Sequence, residues 1–217
     1  MSALNRFDKN EFCKLLRYLV IFQIRYVYIA EYHTGKYSSA ASSLPQKINN
    51  GDVNKAIKVA RELKNEDVYV NDQEFVDAFN VLTCSTKKAK FILSSIEAKK
   101  SNELVRVNDD GNIVNIEHIL PQESCSTWSE SYSGIGPQEY ETWSTRLGNM
   151  VLSCKKLNKE AGRKSFSEKK KILIENSERF STTYSINEVS VWNKQEIEKR
   201  QKLLAKMALD IWSINFS

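Results

Sequence analysis

The sequence predicts a mainly α-helical α+β fold in which helices flank a strand–loop–strand–helix segment. Apolar residues recur at three- and four-residue steps through much of the N-terminal half and again after residue 193. Two short apolar stretches, at 113–116 and 150–152, instead suggest strands. We therefore expect an N-terminal helical region at 1–105, a central core at 106–175, and a C-terminal helical region at 176–217 that packs on the rest.

The N-terminal region is predicted to begin with one long helix at 8–33. Asp8 or Asn10 can cap its start, and Gly35 lies just beyond its end. Charged and polar residues interrupt its apolar stretch, which is shorter than the roughly 20 residues of a membrane span, so a buried helix is expected. His33 is interpreted as a helix-end cation or a surface residue. A polar, serine-rich stretch follows at 38–50, and shorter helices are predicted near 52–65, 71–83 and 86–99.

The central segment changes character. Asp110-Gly111 indicates a turn, after which a strand at 113–116 runs into Glu117 and His118. The span 121–146 is predicted to be a loop, because it is rich in serine and glycine. Trp128 and Trp143 could anchor this loop or stack on bases.

A second strand is predicted at 150–152. It is followed by a helix from Cys154 to about Lys159, which Gly162 ends. The final helix is predicted at roughly 193–212. The segment order is therefore helices, then strand, loop, strand and helix, then helices again.

The net charge of +5 is concentrated in residues 151–175, which hold eight basic and three acidic residues. Such a cluster attracts polyanions, although a merely solvated helix surface is an equal alternative. The run Lys169–Lys171 is interpreted as solvated, with contact to a backbone phosphate as the alternative. The four cysteines form no C-x-x-C pair and the chain has two histidines, so a structural zinc site is not expected and a reducing cytoplasm fits best.

Four polar residues near the two strands carry the chemical prediction. Glu117 and His118 stand at the end of the first strand, Asn149 lies beside the second, and Asn158 lies in the helix that follows. A neutral imidazole can take a proton from water near pH 7. Carboxylate and amide oxygens are the ligands that Mg²⁺ prefers. A nuclease that activates one water beside one divalent cation is the first hypothesis.

Two segments resemble the signature of the DUF1524 domain, an HNH-type (His-Me finger) nuclease domain at the C-terminal end of GmrSD-type, modification-dependent (type IV) restriction enzymes. They are Glu117 to Gln122 and Leu147 to Leu152. The resemblance is strong from 113 to 175 and looser elsewhere. It also includes Trp128, Asn158, the run at 164–170, Trp192, Ile197, Arg200 and Trp212.

The resemblance implies a helical scaffold with an HNH-type ββα-metal insert. In it His118 matches the general base and Glu117 the acidic metal ligand. Asn149 matches the middle asparagine, which orients the loop and the base, and Asn158 matches the metal ligand on the helix. The side chains expected to bind nucleic acid are Lys155, Lys156, Lys159, Arg163 and Lys164.

Three positions depart from the family pattern. Glu117 stands where aspartate is common, and Asn158 stands where many HNH enzymes carry histidine. The second change makes the ligand set oxygen-rich, so Mg²⁺ or Mn²⁺ is expected rather than Zn²⁺. Arg163 stands where relatives often carry asparagine.

The sequence therefore predicts a metal-dependent DNA endonuclease of prokaryotic defence against foreign or modified DNA, cytoplasmic and without a membrane partner. The resemblance adds a possible partner, a DUF262-type nucleotide-hydrolysing region or chain, for which no Walker-type segment is present here. Two alternatives remain open. One is a catalytically weak DNA-binding or effector-docking module that retains the fold, and the other is an RNA-cleaving toxin.

Overall fold

A computed structural model describes residues 2–101, 114–128, 132–175 and 180–216. The chain forms two compact units: residues up to Phe79 together with those from Trp212 onward, and Asn80–Ile211. Helices dominate the described residues, and the sheet found there has two strands. The predicted mainly helical α+β class is therefore confirmed. The division at about residues 105 and 175 stays a prediction.

The first unit consists of short helices. Its core includes the buried side chains of Phe22, Val59 and Phe75. The helices are α1 (Ser2–Arg6), α2 (Lys9–Gln23), α3 (Thr34–Ser42), α4 (Leu44–Asn50), α5 (Ala56–Asn65) and α6 (Asp72–Val81), the last of which runs on into the second unit. The predicted cap is confirmed, because an Asp8 side-chain oxygen accepts from the Glu11 backbone N–H at 2.9 Å.

The helix predicted at 8–33 is confirmed from Lys9 to Ile29, but it is not a single α-helix and it ends four residues early. α2 ends at Gln23 and continues as a π-helical turn, Ile24–Ile29. In this turn the buried Arg25 donates to the backbone oxygens of Val70 and Trp212, at 2.8 and 2.6 Å, and to Asp72 at 2.5 Å. The sequence gives no periodic signal for such a turn, because the groups that bind the Arg25 side chain lie far along the chain.

The serine-rich stretch at 38–50, for which the sequence predicts no element, lies mostly in α3 and α4. α4 buries Leu44 and Ile48, which are spaced one turn apart, and Gly51 ends it with φ of 86°. His33 does not close the preceding helix. Its Nδ1 accepts from the Gly35 backbone N–H at 3.2 Å, which caps α3.

The second unit holds the sheet and the remaining helices. α7 (Thr86–Ser101) packs on both strands, and α11 (Lys194–Ile211) packs on a 3₁₀ turn, Leu147–Asn149. The other elements are β1 (Asn115–His118), α8 (Pro137–Thr145), β2 (Met150–Ser153), α9 (Lys155–Ala161) and α10 (Phe166–Glu175). The core around Leu120, Val151 and Trp192 is fully buried.

The two strands are antiparallel, with Glu117 opposite Val151 and His118 opposite Met150. α9 follows β2 directly and packs on β1, so the local order is strand, strand, helix. The predicted second strand, the helix after it and its end at Gly162 (φ 44°) are confirmed. The loop predicted at 121–146 is wrong in part, because it contains α8. The predicted turn at Asp110-Gly111 lies outside the described residues.

Within the described residues, none of the helices combines the length and the hydropathy that a membrane crossing requires.

Candidate functional site

The end of β1 brings the four predicted site residues together. Glu117 and His118 are its last two residues. The backbone oxygen of Asn149 accepts from the N–H of Ile119 at 3.0 Å. The Asn158 side chain reaches from α9 and donates to the backbone oxygen of Ile116. Asn149 and Asn158 are therefore hydrogen-bonded to Ile119 and Ile116, the residues on either side of the Glu117–His118 pair.

Asn149 is fully buried and uses its whole amide group. Its Oδ1 accepts from the Leu120 N–H at 2.8 Å and from the Trp192 indole N–H at 3.0 Å. Its Nδ2 donates to the backbone oxygens of Leu120 at 2.9 Å and Ser144 at 2.8 Å. A side chain sealed in this way cannot contact substrate, but it fixes the backbone two residues after His118.

Helix α11 holds the turn that carries Asn149. The Gly148 N–H donates to Gln201 Oε1 at 3.0 Å, and Arg200 Nη1 donates to the backbone oxygens of Gly148 and Met150 at 2.8 and 2.7 Å. A Cβ at position 148 would lie 2.3 Å from the Ile197 backbone oxygen, so only glycine permits this approach. Burial lowers the pKa of Arg200 to about 9, which leaves the guanidinium charged near neutral pH.

Sequence reasoning missed these supports. Arg200 entered only as part of a family resemblance and Gln201 not at all. Their positions in an otherwise ordinary amphipathic helix give little local signal. Both side chains are nonetheless buried polar groups, which are rarely buried without partners.

Lys169 lies in the core, and its interpretation as a solvated lysine is wrong. Its side chain is 1% exposed, and its Nζ donates to Glu117 Oε1 at 2.6 Å and to the His118 backbone oxygen at 2.7 Å. Burial raises the pKa of Glu117 and lowers the pKa of Lys169, while their mutual attraction opposes both shifts. The carboxylate assigned to a metal ion is therefore already paired with an ammonium group.

His118 is also buried, with 9% of its surface exposed. Its Nε2 is shielded from solvent and has no hydrogen-bond partner among the described residues. Burial, with a smaller contribution from the Lys169 charge, lowers the pKa of His118 to about 4. The imidazole is thus neutral near pH 7, as a base must be. The imidazole is largely shielded from solvent in this conformation, which we call the closed conformation.

The five basic residues predicted to bind nucleic acid are all exposed, on α9 and the turn that follows it. One of them, Arg163, pairs with Glu123. Trp128 is buried and its indole N–H donates to the Lys164 backbone oxygen at 3.0 Å. Of the two roles considered for Trp128, the structure therefore supports anchoring of the loop.

A cavity of about 890 Å³ lies within the connection between β1 and β2. Its lining includes Gln122, Trp128, Tyr132 and Tyr140, but not the four predicted site residues. The Tyr140 hydroxyl donates to the Pro121 backbone oxygen at 2.9 Å, so a residue of the cavity lining contacts the segment that follows β1.

The donor set at the strand end suits a hard divalent cation. In the parts of the chain that the structure describes, no three His, Cys, Asp or Glu side chains cluster as metal ligands. Glu117 and the amide oxygen of Asn158 are instead the candidate ligands. Asn158 uses its nitrogen for the bond to Ile116, which leaves its oxygen for a cation.

The family model for the C-terminal domain of GmrSD restriction endonucleases matches residues 69–207, well over half of the 217 residues. The chain is therefore a nuclease domain of the restriction type, a class of hydrolases with a role in defence. It belongs to the family of GmrSD C-terminal domains. The match includes all four predicted site residues as well as Lys169 and Arg200. None of the curated proteins compared with the chain matches it.

Proposed function

We propose that the protein is a metal-dependent DNA endonuclease with an HNH-type ββα-metal core, acting in prokaryotic defence against foreign or modified DNA. The observation that carries this proposal is the neutral imidazole of His118 at the end of β1, whose Nε2 has no hydrogen-bond partner among the described residues and which follows Glu117 directly. Family membership supports the same conclusion.

His118 is the proposed general base. Its Nε2 is free to accept the proton of a water that attacks the phosphorus, after which the 3′ oxygen leaves. For this step Nε2 must become accessible, so the closed conformation has to open when DNA or metal binds. Exposure of the imidazole would also bring its pKa back toward 6.5, which makes it a stronger base near neutral pH.

Glu117 and Asn158 are the proposed ligands of a Mg²⁺ or Mn²⁺ ion. Such an ion supplies Lewis-acid stabilisation of the charge on the leaving oxygen. Asn149 is a positioning residue in this proposal. Its side-chain amide accepts from the Leu120 N–H and donates to the Leu120 carbonyl oxygen, which fixes the backbone just after His118.

The exposed basic residues of α9 are the proposed contacts to the DNA backbone. Lysines there can neutralise phosphates without reading sequence, so specificity would come from elsewhere. We place recognition of the DNA modification in a DUF262-type nucleotide-hydrolysing region or partner chain, and the reaction in the cytoplasm.

The test is plasmid cleavage in Mg²⁺ or Mn²⁺ by the wild type, His118→Ala and His33→Ala. Loss of a general base lowers the rate by roughly 10²–10⁴-fold, so His118→Ala should leave little cleavage. His33→Ala is the matched control, because that imidazole is exposed and caps α3 in the first unit. Full cleavage by His118→Ala would remove His118 as the base.

A second candidate is a DNA-binding module that cleaves weakly or not at all. The sealed Nε2 of His118 and the Glu117–Lys169 ion pair favour it. Under this alternative, wild type and His118→Ala bind DNA equally in an anisotropy titration, and neither cuts with any divalent metal.

A further inference from the structure

Lys169 occupies the position that a cation would take beside Glu117. Its ammonium nitrogen lies 2.6 Å from a carboxylate oxygen and 2.7 Å from the His118 backbone oxygen. A carboxylate and a backbone carbonyl are also the oxygen ligands that hard metal ions select. The proposed metal ligand is therefore already bound to a cation that the protein itself supplies.

This arrangement follows from the packing of α10. Lys169 lies on the same helix face as Phe166 and Leu173, which are buried three residues before it and four residues after it. The face turns inward, so the lysine enters the core between two apolar side chains. A buried ammonium or carboxylate is strongly unfavourable without its partner. Lys169 and Glu117 each require the other, or a substitute of the same charge.

The charges at the strand end make Lys169 and a divalent ion competitors. Glu117 is the only carboxylate among the four predicted site residues, because the others are a histidine and two asparagines. One carboxylate cannot neutralise an ammonium and a divalent ion together. Two cations beside a single carboxylate in a poorly solvated site repel each other strongly.

We propose that Lys169 is the resident cation of the Glu117 carboxylate, and that a divalent metal ion binds Glu117 only in exchange for it. The inference rests on the proposed function, because it takes Glu117 to be a metal ligand. When the metal ion replaces Lys169, the Lys169 bonds from α10 to Glu117 and to the His118 carbonyl at the end of β1 are broken. Metal binding and opening of the closed conformation therefore occur together.

The experiment measures Mn²⁺ binding by calorimetry and by thermal unfolding, with MnCl₂ as the probe. Lys169→Met removes the competing charge and should bind Mn²⁺ at least tenfold more tightly than the wild type. Its metal-free melting temperature should fall, because Glu117 is left buried and unpaired. Mn²⁺ should then raise that temperature more than it does in the wild type.

Two further lysine variants complete the series. Lys171→Met removes an exposed lysine from the same helix, so its Mn²⁺ affinity should stay within twofold of the wild type. Lys169→Gln removes the charge but keeps an N–H donor for Glu117 or for the His118 carbonyl. If Lys169→Met fails to fold, the Mn²⁺ affinity of Lys169→Gln tests the exchange instead. Equal or weaker Mn²⁺ binding by the uncharged variants would overturn the exchange.

A double variant, Glu117→Gln with Lys169→Met, separates this inference from the proposed function. It carries no buried charge at the pair and should fold, but it should lose the Mn²⁺ site. If it binds Mn²⁺ as tightly as Lys169→Met, Glu117 is not a ligand and the metal site of the proposed function fails. If the wild type and Lys169→Met bind equally and the double variant does not bind, only the exchange fails.

Discussion

Replacing Asn149 with alanine should destabilise the second unit by about 4 kcal/mol. The change leaves four buried groups without their partner: the Leu120 N–H, the Trp192 indole N–H, and the backbone oxygens of Leu120 and Ser144. Each buried polar group left unsatisfied costs roughly 1–3 kcal/mol. Even the lower end of that range makes Asn149 a major contributor to a domain whose stability is roughly 5–15 kcal/mol.

Urea unfolding followed by tryptophan fluorescence provides the assay. Trp128, Trp143 and Trp192 lie in the second unit, so the signal reports mainly on it. With a denaturant slope of roughly 2 kcal/mol per molar, the midpoint should fall by about 2 M. Asn187→Ala is the control, because that amide makes one hydrogen bond to the exposed Glu188 side chain. If Asn149→Ala shifts the midpoint no more than the control does, the buried four-bond arrangement is refuted.

Three other predictions concern the same unit. Burial lowers the pKa of His118 to about 4 from 6.5. The unfolded chain therefore takes up a proton first as the pH falls, and metal-free wild type should lose about 3 kcal/mol between pH 6.5 and 4. Urea titrations at pH 7 and 4.5 check this, and an equal loss in His118→Gln would contradict it. Gly148→Ala places a Cβ 2.3 Å from an α11 carbonyl and should cost about 1–3 kcal/mol in thermal unfolding. Gly136→Ala, where nothing lies within 4 Å, should have little effect. Lys156→Ala and Lys159→Ala should weaken DNA binding and reduce the salt slope by about 0.9 for each phosphate that the variant no longer neutralises. An unchanged slope in anisotropy titrations at low and moderate salt would exclude these lysines from the DNA interface.

Periodicity predicted α2, α5, α6, α7, α9 and α11 and both strands, because each buries an apolar stripe or stretch. It missed α1, α3, α4, α8 and α10. The buried residue of α8 is Ser144. A helix that begins at Pro137 and packs through a serine has no amphipathic pattern to detect, although the proline is a typical helix start. The π-helical turn at Ile24–Ile29 was missed because its buried Arg25 bonds to partners at residues 70, 72 and 212.

The sequence also identified which residues meet at the strand end, because their spacing follows the family signature. It could not identify Lys169, since one lysine in a run of three resembles a solvated surface. The available signal was its helical spacing from Phe166 and Leu173, which puts it on the buried face. A lysine can be buried at such a position only if a group of opposite charge lies beside it in the folded protein. Glu117 is 52 residues away in sequence.

The hydrogen bonds from α11 to Gly148 and Met150 affect the order in which the protein can fold during synthesis. β1, β2 and α9 are synthesised before Trp192, Arg200 and Gln201, yet those later residues secure the turn that carries Asn149. A nascent chain that stops short of α11 contains both strand segments but lacks the Arg200 and Gln201 bonds to Gly148 and Met150. The strand end therefore acquires its final geometry only when synthesis has passed residue 201.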